Sequence, residues 1–354
     1  MAKKHELTLT SILYMLLVIF IHIAAEGVTE YRTDSLLFVG LCSAHRLSSF
    51  VVQGFLFLSG VKLFLPRQND TFSYPHFLVS RLRRVVLPYI AVFAVFVLYF
   101  TLTGRLAFDL PYYVRECLVG GLVGHFYYVA IQCQFYILVP LWRLIVKRSS
   151  MPLACLTSLI VMLICRTALP ELVMLTTGFE LTYNSRLFTT FLFYFVCGCF
   201  CGANYDRFRE LLRTRRTGLT VFAAVCGTID CVLILVIRRG IYYPTWADDF
   251  HVLYCTGAIL CTLSYAVKLA DLAPHLAESS IVRLISSASY NVYLIHPLFI
   301  FVTDSLLDRM GILSISARLV LRAVTVYTVS VGLCVLLEKG CQGIKVYIGK
   351  RRRA

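Results

Sequence analysis

The chain has 354 residues, of which 59% are apolar and only 15% charged, and a mean hydropathy of +0.77. A soluble domain is nearer half apolar and a quarter charged, so a water-soluble globular enzyme, a disordered chain and a disulfide-stapled secreted scaffold are all excluded. Of the fourteen cysteines, most lie inside apolar runs, as do Cys133, Cys155, Cys165 and Cys261, where free cysteine acts as a small hydrophobe. The composition is that of a polytopic membrane protein.

A helix crossing the ~30 Å hydrocarbon core needs about 20 mostly apolar residues. Ten such runs follow one another, at 8–25, 48–65, 85–103, 126–145, 152–169, 187–204, 218–237, 250–270, 289–304 and 313–337, the run 289–304 being the shortest. They are continuous and not alternating, which favours helices over a barrel. Placing the amino terminus in the cytoplasm puts 23 of the 34 basic residues on the inner side, including Lys3, Lys4, the stretch from Lys62 to Arg84 with Arg67, and the tail with Arg352 and Arg353. The predicted fold is therefore all-α, a membrane protein of about ten transmembrane helices with both termini cytoplasmic. It forms one membrane-embedded domain over 1–354, with a bundle at 8–337 and a basic tail at 338–354. The net charge of +15 then records topology and attraction to anionic lipid, and calls for no nucleic acid. Lys3 and Lys4 ahead of the first run, and Ala24-Ala25 behind it, also fit a signal peptide. The run is long for that purpose, however, and a histidine inside it would be out of place.

No connection between the runs is long enough to fold alone, so chemistry must occur within the bundle or at its mouths. Ionisable groups inside spans are costly and mark function by default. His22 lies about 21 Å along the first span, and Glu26, four residues on, shares its helix face. A histidine can take and return a proton near neutral pH, and a carboxylate on its face could orient it. A histidine bonded to a neighbouring helix beside an interfacial glutamate explains the pattern equally well.

Further on, the run 126–145 opens with an outer-mouth segment in which Gln132 and Tyr136 are one turn apart, with Tyr128 and His125 above them. Amides and phenols on a concave face can hold sugar hydroxyls, and the tyrosines also fit an interfacial aromatic belt. In the segment Ser289 to Pro297, Tyr290, Tyr293 and His296 form a polar stripe ahead of a proline that frees a backbone carbonyl. The stripe suits a water-lined cavity or a packing seam. On the cytoplasmic side, Arg81, Arg83 and Arg84 precede re-entry into the membrane. They read as positive-inside anchors or as a phosphate site, because guanidinium binds phosphate oxygens in bidentate fashion. The tract from Cys197 to Gly202 looks metal-like, but its cysteines spread around a helix, and Gly198 and Gly202 make a Gly-x-x-x-Gly packing face.

Taken in order, five segments resemble acyltransferase family 3, the bacterial integral-membrane O-acyltransferases. They are the apolar first span ending in His22, the run Phe55 to Gly60 closing in Ser-Gly, and the arginines 81, 83 and 84 before Pro88-Tyr89. Tyr136 to Pro140 and Ser289 to Pro297 complete the set, and the likeness runs from about 7 to 337. Among family members it is nearest to those that modify exopolysaccharides and lack an appended extracytoplasmic domain, such as the biofilm poly-N-acetylglucosamine group. The resemblance implies transfer of an acyl group, usually acetyl, from a cytoplasmic acyl-coenzyme A to a hydroxyl of an exported or surface glycan, at the cell membrane. On that reading Arg81, Arg83, Arg84 and Lys62 hold the donor phosphates, and His22 acts as base or transient acyl carrier. Gln132, Tyr136, Tyr290, Tyr293 and His296 then line the acceptor cavity, and no metal or bound cofactor is required. Two positions depart from the family pattern: Ser11 stands where an arginine is usual, leaving Lys3, Lys4 or Lys62 to replace it, and Gln53 stands where proline is common. A transporter of a saccharide or lipid-linked glycan precursor would use the same polar stripe. A sensory or scaffold protein with a decayed site is a third reading, resting on Ser11 alone.

Overall fold

The computed structural model describes residues 4–66 and 72–351; Lys3, Arg67, Arg352 and Arg353, counted above among the inner basic residues, lie outside them. Its described residues form helices and connections, with no strand among them. In chain order the helices are α1 (His5–Glu30), α2 (Leu36–Ser48), α3 (Val51–Phe64), α4 (Tyr74–Arg81), α5 (Leu87–Leu102), α6 (Leu110–Val119), α7 (Tyr127–Ile137) and α8 (Val139–Arg148). They continue as α9 (Met151–Thr177), α10 (Leu192–Ala203), α11 (Tyr205–Thr214), α12 (Arg216–Arg238), α13 (Ala247–Leu272), α14 (Pro274–Glu278), α15 (Ser280–Arg309) and α16 (Ile315–Arg351). Within these residues eight helical segments are long and apolar enough to cross a membrane, and ten if each of two bent pairs counts as one span.

The bends have local causes. Between α7 and α8 the axis turns by 59°. Pro140 has no N–H for the carbonyl of Tyr136 and its ring crowds that carbonyl; the hydroxyl of Tyr74 donates to the neighbouring carbonyl of Ile137 at 2.7 Å. Between α10 and α11 the axis turns by 103° at Asn204, whose side-chain amide donates to the Phe200 carbonyl at 3.1 Å. The short run 289–304 is the middle of the 30-residue α15, which continues unbroken through Pro297. The residues 338–351 continue α16 as helix.

Backbone contacts group the described helices into two compact units, one within residues 52–208 and the other formed by residues 4–51 with 209–351. In the first, α3 and α10 meet backbone to backbone. A methyl group at Gly198 or Gly202 would collide with the backbone of Phe57 or Val61, and one at Gly60 with that of Phe195 and Cys199. The Gly-x-x-x-Gly face is thus the seam between these helices. Around α5 and α7, the rings of Tyr89, Phe93 and Phe96 close on Phe126, which is fully buried.

In the second unit α1 is central and packs on α2, α13, α15 and α16. Its buried face carries Tyr14, Met15, Val18 and Ile19, and the Tyr14 hydroxyl bonds that of Thr262 at 2.9 Å. Ser11 lies on this buried face and donates to its own helix at the Leu7 carbonyl, at 2.7 Å.

Candidate functional site

Within the second unit, α1 brings His22 to His296 of α15. The two imidazole rings stand 5.2 Å apart, centroid to centroid, tilted by 49°. His296 is fully buried, and its Nδ1 lies 2.8 Å from the carbonyl of Tyr293. A carbonyl only accepts, so Nδ1 carries a proton, and in the neutral form of the ring the lone pair lies at Nε2. The Tyr293 carbonyl is the one that Pro297 leaves without its helical N–H, so the proline creates the acceptor that orients the imidazole. The Tyr293 ring lies 6.2 Å from that of His296, and Tyr290 sits one turn further back, half-buried. The stripe predicted from Tyr290, Tyr293 and His296 therefore adjoins His22.

Glu26 does not follow the expected arrangement. Its carboxylate forms ion pairs with Arg322 and, at 3.5 Å, with Arg318, both on α16. Arg322 also bonds Asp304, and Arg318 bonds Asp308 at 2.6 Å and lies 3.8 Å from Asp304. Full opposite charges outcompete a neutral imidazole for a carboxylate, most of all where water is scarce. Arginines 318 and 322 are four apart inside an apolar run, so they share a face. That pattern in 313–337 is the signal by which sequence reading could have found them.

A second buried network joins α2, α12 and α13. Arg46 grips Asp230 with Nε at 2.8 Å and Nη2 at 2.9 Å, and Asp230 accepts from His251 Nδ1 at 2.8 Å. Ser49, at the break between α2 and α3, lies 3.1 Å from His251 Nε2 and donates to the Arg46 carbonyl at 2.7 Å. The Leu47 carbonyl accepts from the Tyr254 hydroxyl. Ser49 and Tyr254 thus satisfy two of the carbonyls that the helix break frees. A third network ties the start of α1 to α11 and α13, where Arg209 bonds buried Glu6 at 3.1 Å and also Asp271.

In the first unit, two of the sequence segments meet at Ser59, and Arg81 of a third stacks on one of them. Gln132 donates to the Ser59 hydroxyl at 2.9 Å and accepts from Tyr128 at 3.2 Å, and Tyr136 also bonds Ser59. The guanidinium of Arg81 lies over the rings of Phe77 and Tyr136, at 4.9 and 5.0 Å. Arg83 and Arg84 differ from it. They belong to a π-helical segment, Leu82–Val86, and are exposed in a cleft of about 340 Å³ lined also by His76, Val79 and Ser80. A π-segment is a rare, locally costly geometry found mostly at functional sites. Here it separates one stacked arginine from two that remain open to a ligand. Lys62, exposed near the end of α3, is not part of that cleft lining.

A sequence family described as an acyltransferase domain, acyltransferase family 3, matches residues 6–339. The chain belongs to this family and is a multi-pass membrane acyltransferase. No curated protein and no solved structure matches it.

Proposed function

We propose that this protein moves an acyl group, acetyl in the first instance, from a cytoplasmic acyl-coenzyme A to a hydroxyl of an exported or surface glycan, in the cell membrane with both termini cytoplasmic. The observation that carries the reading is the pairing of half-buried His22 with fully buried His296, the second held in one tautomer by the Tyr293 carbonyl. One imidazole of the pair takes the proton of the acceptor hydroxyl. The oxygen then attacks the thioester carbonyl, the C–S bond breaks, and the proton is returned to the departing thiolate. Arg83 and Arg84, exposed beside His76, supply cationic donors of the kind that phosphates require. The aromatic-stacked Arg81 fixes the start of their segment. Gln132 and Tyr136 offer an amide and a phenol suited to sugar hydroxyls, and the family resemblance favours an exopolysaccharide acceptor.

The test is free-thiol release from acetyl-coenzyme A by purified protein, wild type beside His22→Ala. Slow release that the substitution abolishes is the expected result. Equal release by both would remove His22 from the chemistry, whereas glycan movement into proteoliposomes without any thioester would replace acyl transfer with transport.

A further inference from the structure

We propose that Arg322 is the positioning residue that keeps His22 and His296 facing each other; the inference rests on the acyl-transfer reading only for its effect on turnover. Arg322 is 4% exposed, within the apolar run of α16. It bonds one carboxylate from each histidine-bearing helix, Glu26 of α1 and Asp304 of α15. Glu26 lies four residues beyond His22 and Asp304 eight beyond His296, about 6 Å and 12 Å along the respective axes. In both helices the step from histidine to carboxylate runs toward the C-terminus, so α1 and α15 are parallel. They are registered at two levels, the ring pair below and the guanidinium clamp above.

A single contact leaves two packed helices free to slide or roll, whereas two at different heights do not. Arg318 reinforces the clamp from one turn away, through Glu26, Asp304 and Asp308. Without Arg322, Glu26 and Asp304 keep only the longer contacts of Arg318, at 3.5 and 3.8 Å, and their mutual repulsion is less well offset in a setting poor in water. The helices then part on the side where the histidines meet. A displacement of about 1 Å at a reacting group costs on the order of a hundredfold in rate.

Three variants separate positioning from bulk stability: Arg322→Gln, Arg322→Lys, and Arg322→Gln combined with Glu26→Gln and Asp304→Asn. The first leaves the carboxylates opposed, the second keeps a cation, and the third removes all three charges. Two readouts apply. One is residue-resolved carbethoxylation of the histidines by diethyl pyrocarbonate, with exposed His76 and His275 as references and buried His125 and half-buried, Asp230-bonded His251 as unfolding controls. The other is kcat and KM for thiol release from acetyl-coenzyme A.

For Arg322→Gln, His22 and His296 label about fivefold faster or more while His125 and His251 do not. Its kcat falls about ten- to a hundredfold at unchanged KM. The lysine and triple variants recover part of both. Unchanged labelling and kcat in Arg322→Gln overturn the proposal, as does uniformly faster labelling of every buried histidine, which marks a merely structural role. If Arg322→Gln does not accumulate, lysine and triple variants indistinguishable from wild type in both readouts overturn it. If wild type releases no thiol while the labelling behaves as stated, the positioning role stands and the acyl-transfer reading fails.

Discussion

His296 donates its Nδ1 proton, over 2.8 Å, to the carbonyl of Tyr293 that Pro297 has left without a helical donor. The chain contains the same tyrosine-to-proline spacing at Tyr136 and Pro140, with the opposite outcome. There the residue before the proline is Val139, whose side chain has no donor, and the axis bends by 59°. In α15 the imidazole fills the gap and the helix runs on. One sequence pattern thus yields a corner in one place and a fixed tautomer in another, depending on whether the residue before the proline carries a donor.

Pro297→Ala should therefore separate stability from turnover. The restored N–H competes for the Tyr293 carbonyl and releases Nδ1, while the helix gains up to about 3 kcal/mol of intrinsic preference. The expected outcome is equal or higher melting temperature in detergent with thiol release lowered about tenfold. Unchanged release would show that the Nδ1 contact is irrelevant to the chemistry.

The α3–α10 seam has no room for a methyl group. Gly198→Ala and Gly202→Ala should each destabilise by about 1–3 kcal/mol, read as a lower melting temperature, because backbone and not a flexible side chain must move. Gly218 near the start of α12 has nothing within 4 Å of an added Cβ and is the control. Gly218→Ala should be neutral or stabilising by about 0.5–1 kcal/mol.

Asp230→Ala strands the Arg46 guanidinium and removes the partner of His251 Nδ1. Loss of one member of a buried pair costs about 3–5 kcal/mol. Thermal unfolding should show a large drop, and Asp230→Ala combined with Arg46→Met should recover part of it. The exposed pair Arg32–Asp34 provides the contrast: Asp34→Asn should leave the melting temperature where it was.

The three arginines near 81–84 should divide by role. Arg83→Gln and Arg84→Gln raise KM for acetyl-coenzyme A about tenfold at constant kcat if their open guanidiniums hold phosphate. Arg81→Lys instead lowers stability by about 1–2 kcal/mol, since lysine cannot lie flat against Phe77 and Tyr136. A KM effect confined to Arg81 would reverse the assignment.

The spans were legible because an apolar run of fixed length has one outcome in a membrane. Bends and ion networks were not. Pro140 and Pro297 look alike until a neighbouring donor is placed, and Glu26 has its nearest sequence partner in His22 but its stronger one almost three hundred residues away. Arg46, Asp230 and His251 were each readable as charges in or beside apolar runs, yet nothing in their spacing pairs them. Ser59 was visible in its Ser-Gly segment, but its role as the meeting point of Gln132 and Tyr136 depends on how α3 and α7 pack.

The arginine clamp also sets an order of assembly. Arg318 and Arg322 enter the bilayer in the first two turns of a helix whose insertion their charges oppose. Their counter-charges on α1 and α15 must already be in place to receive them. Glu26 is synthesised 292 residues before Arg318, an interval of roughly 15–60 s at ordinary elongation rates. Through that interval the first helix carries its carboxylate into the membrane unmatched, and the last helix completes a site that the first has held open.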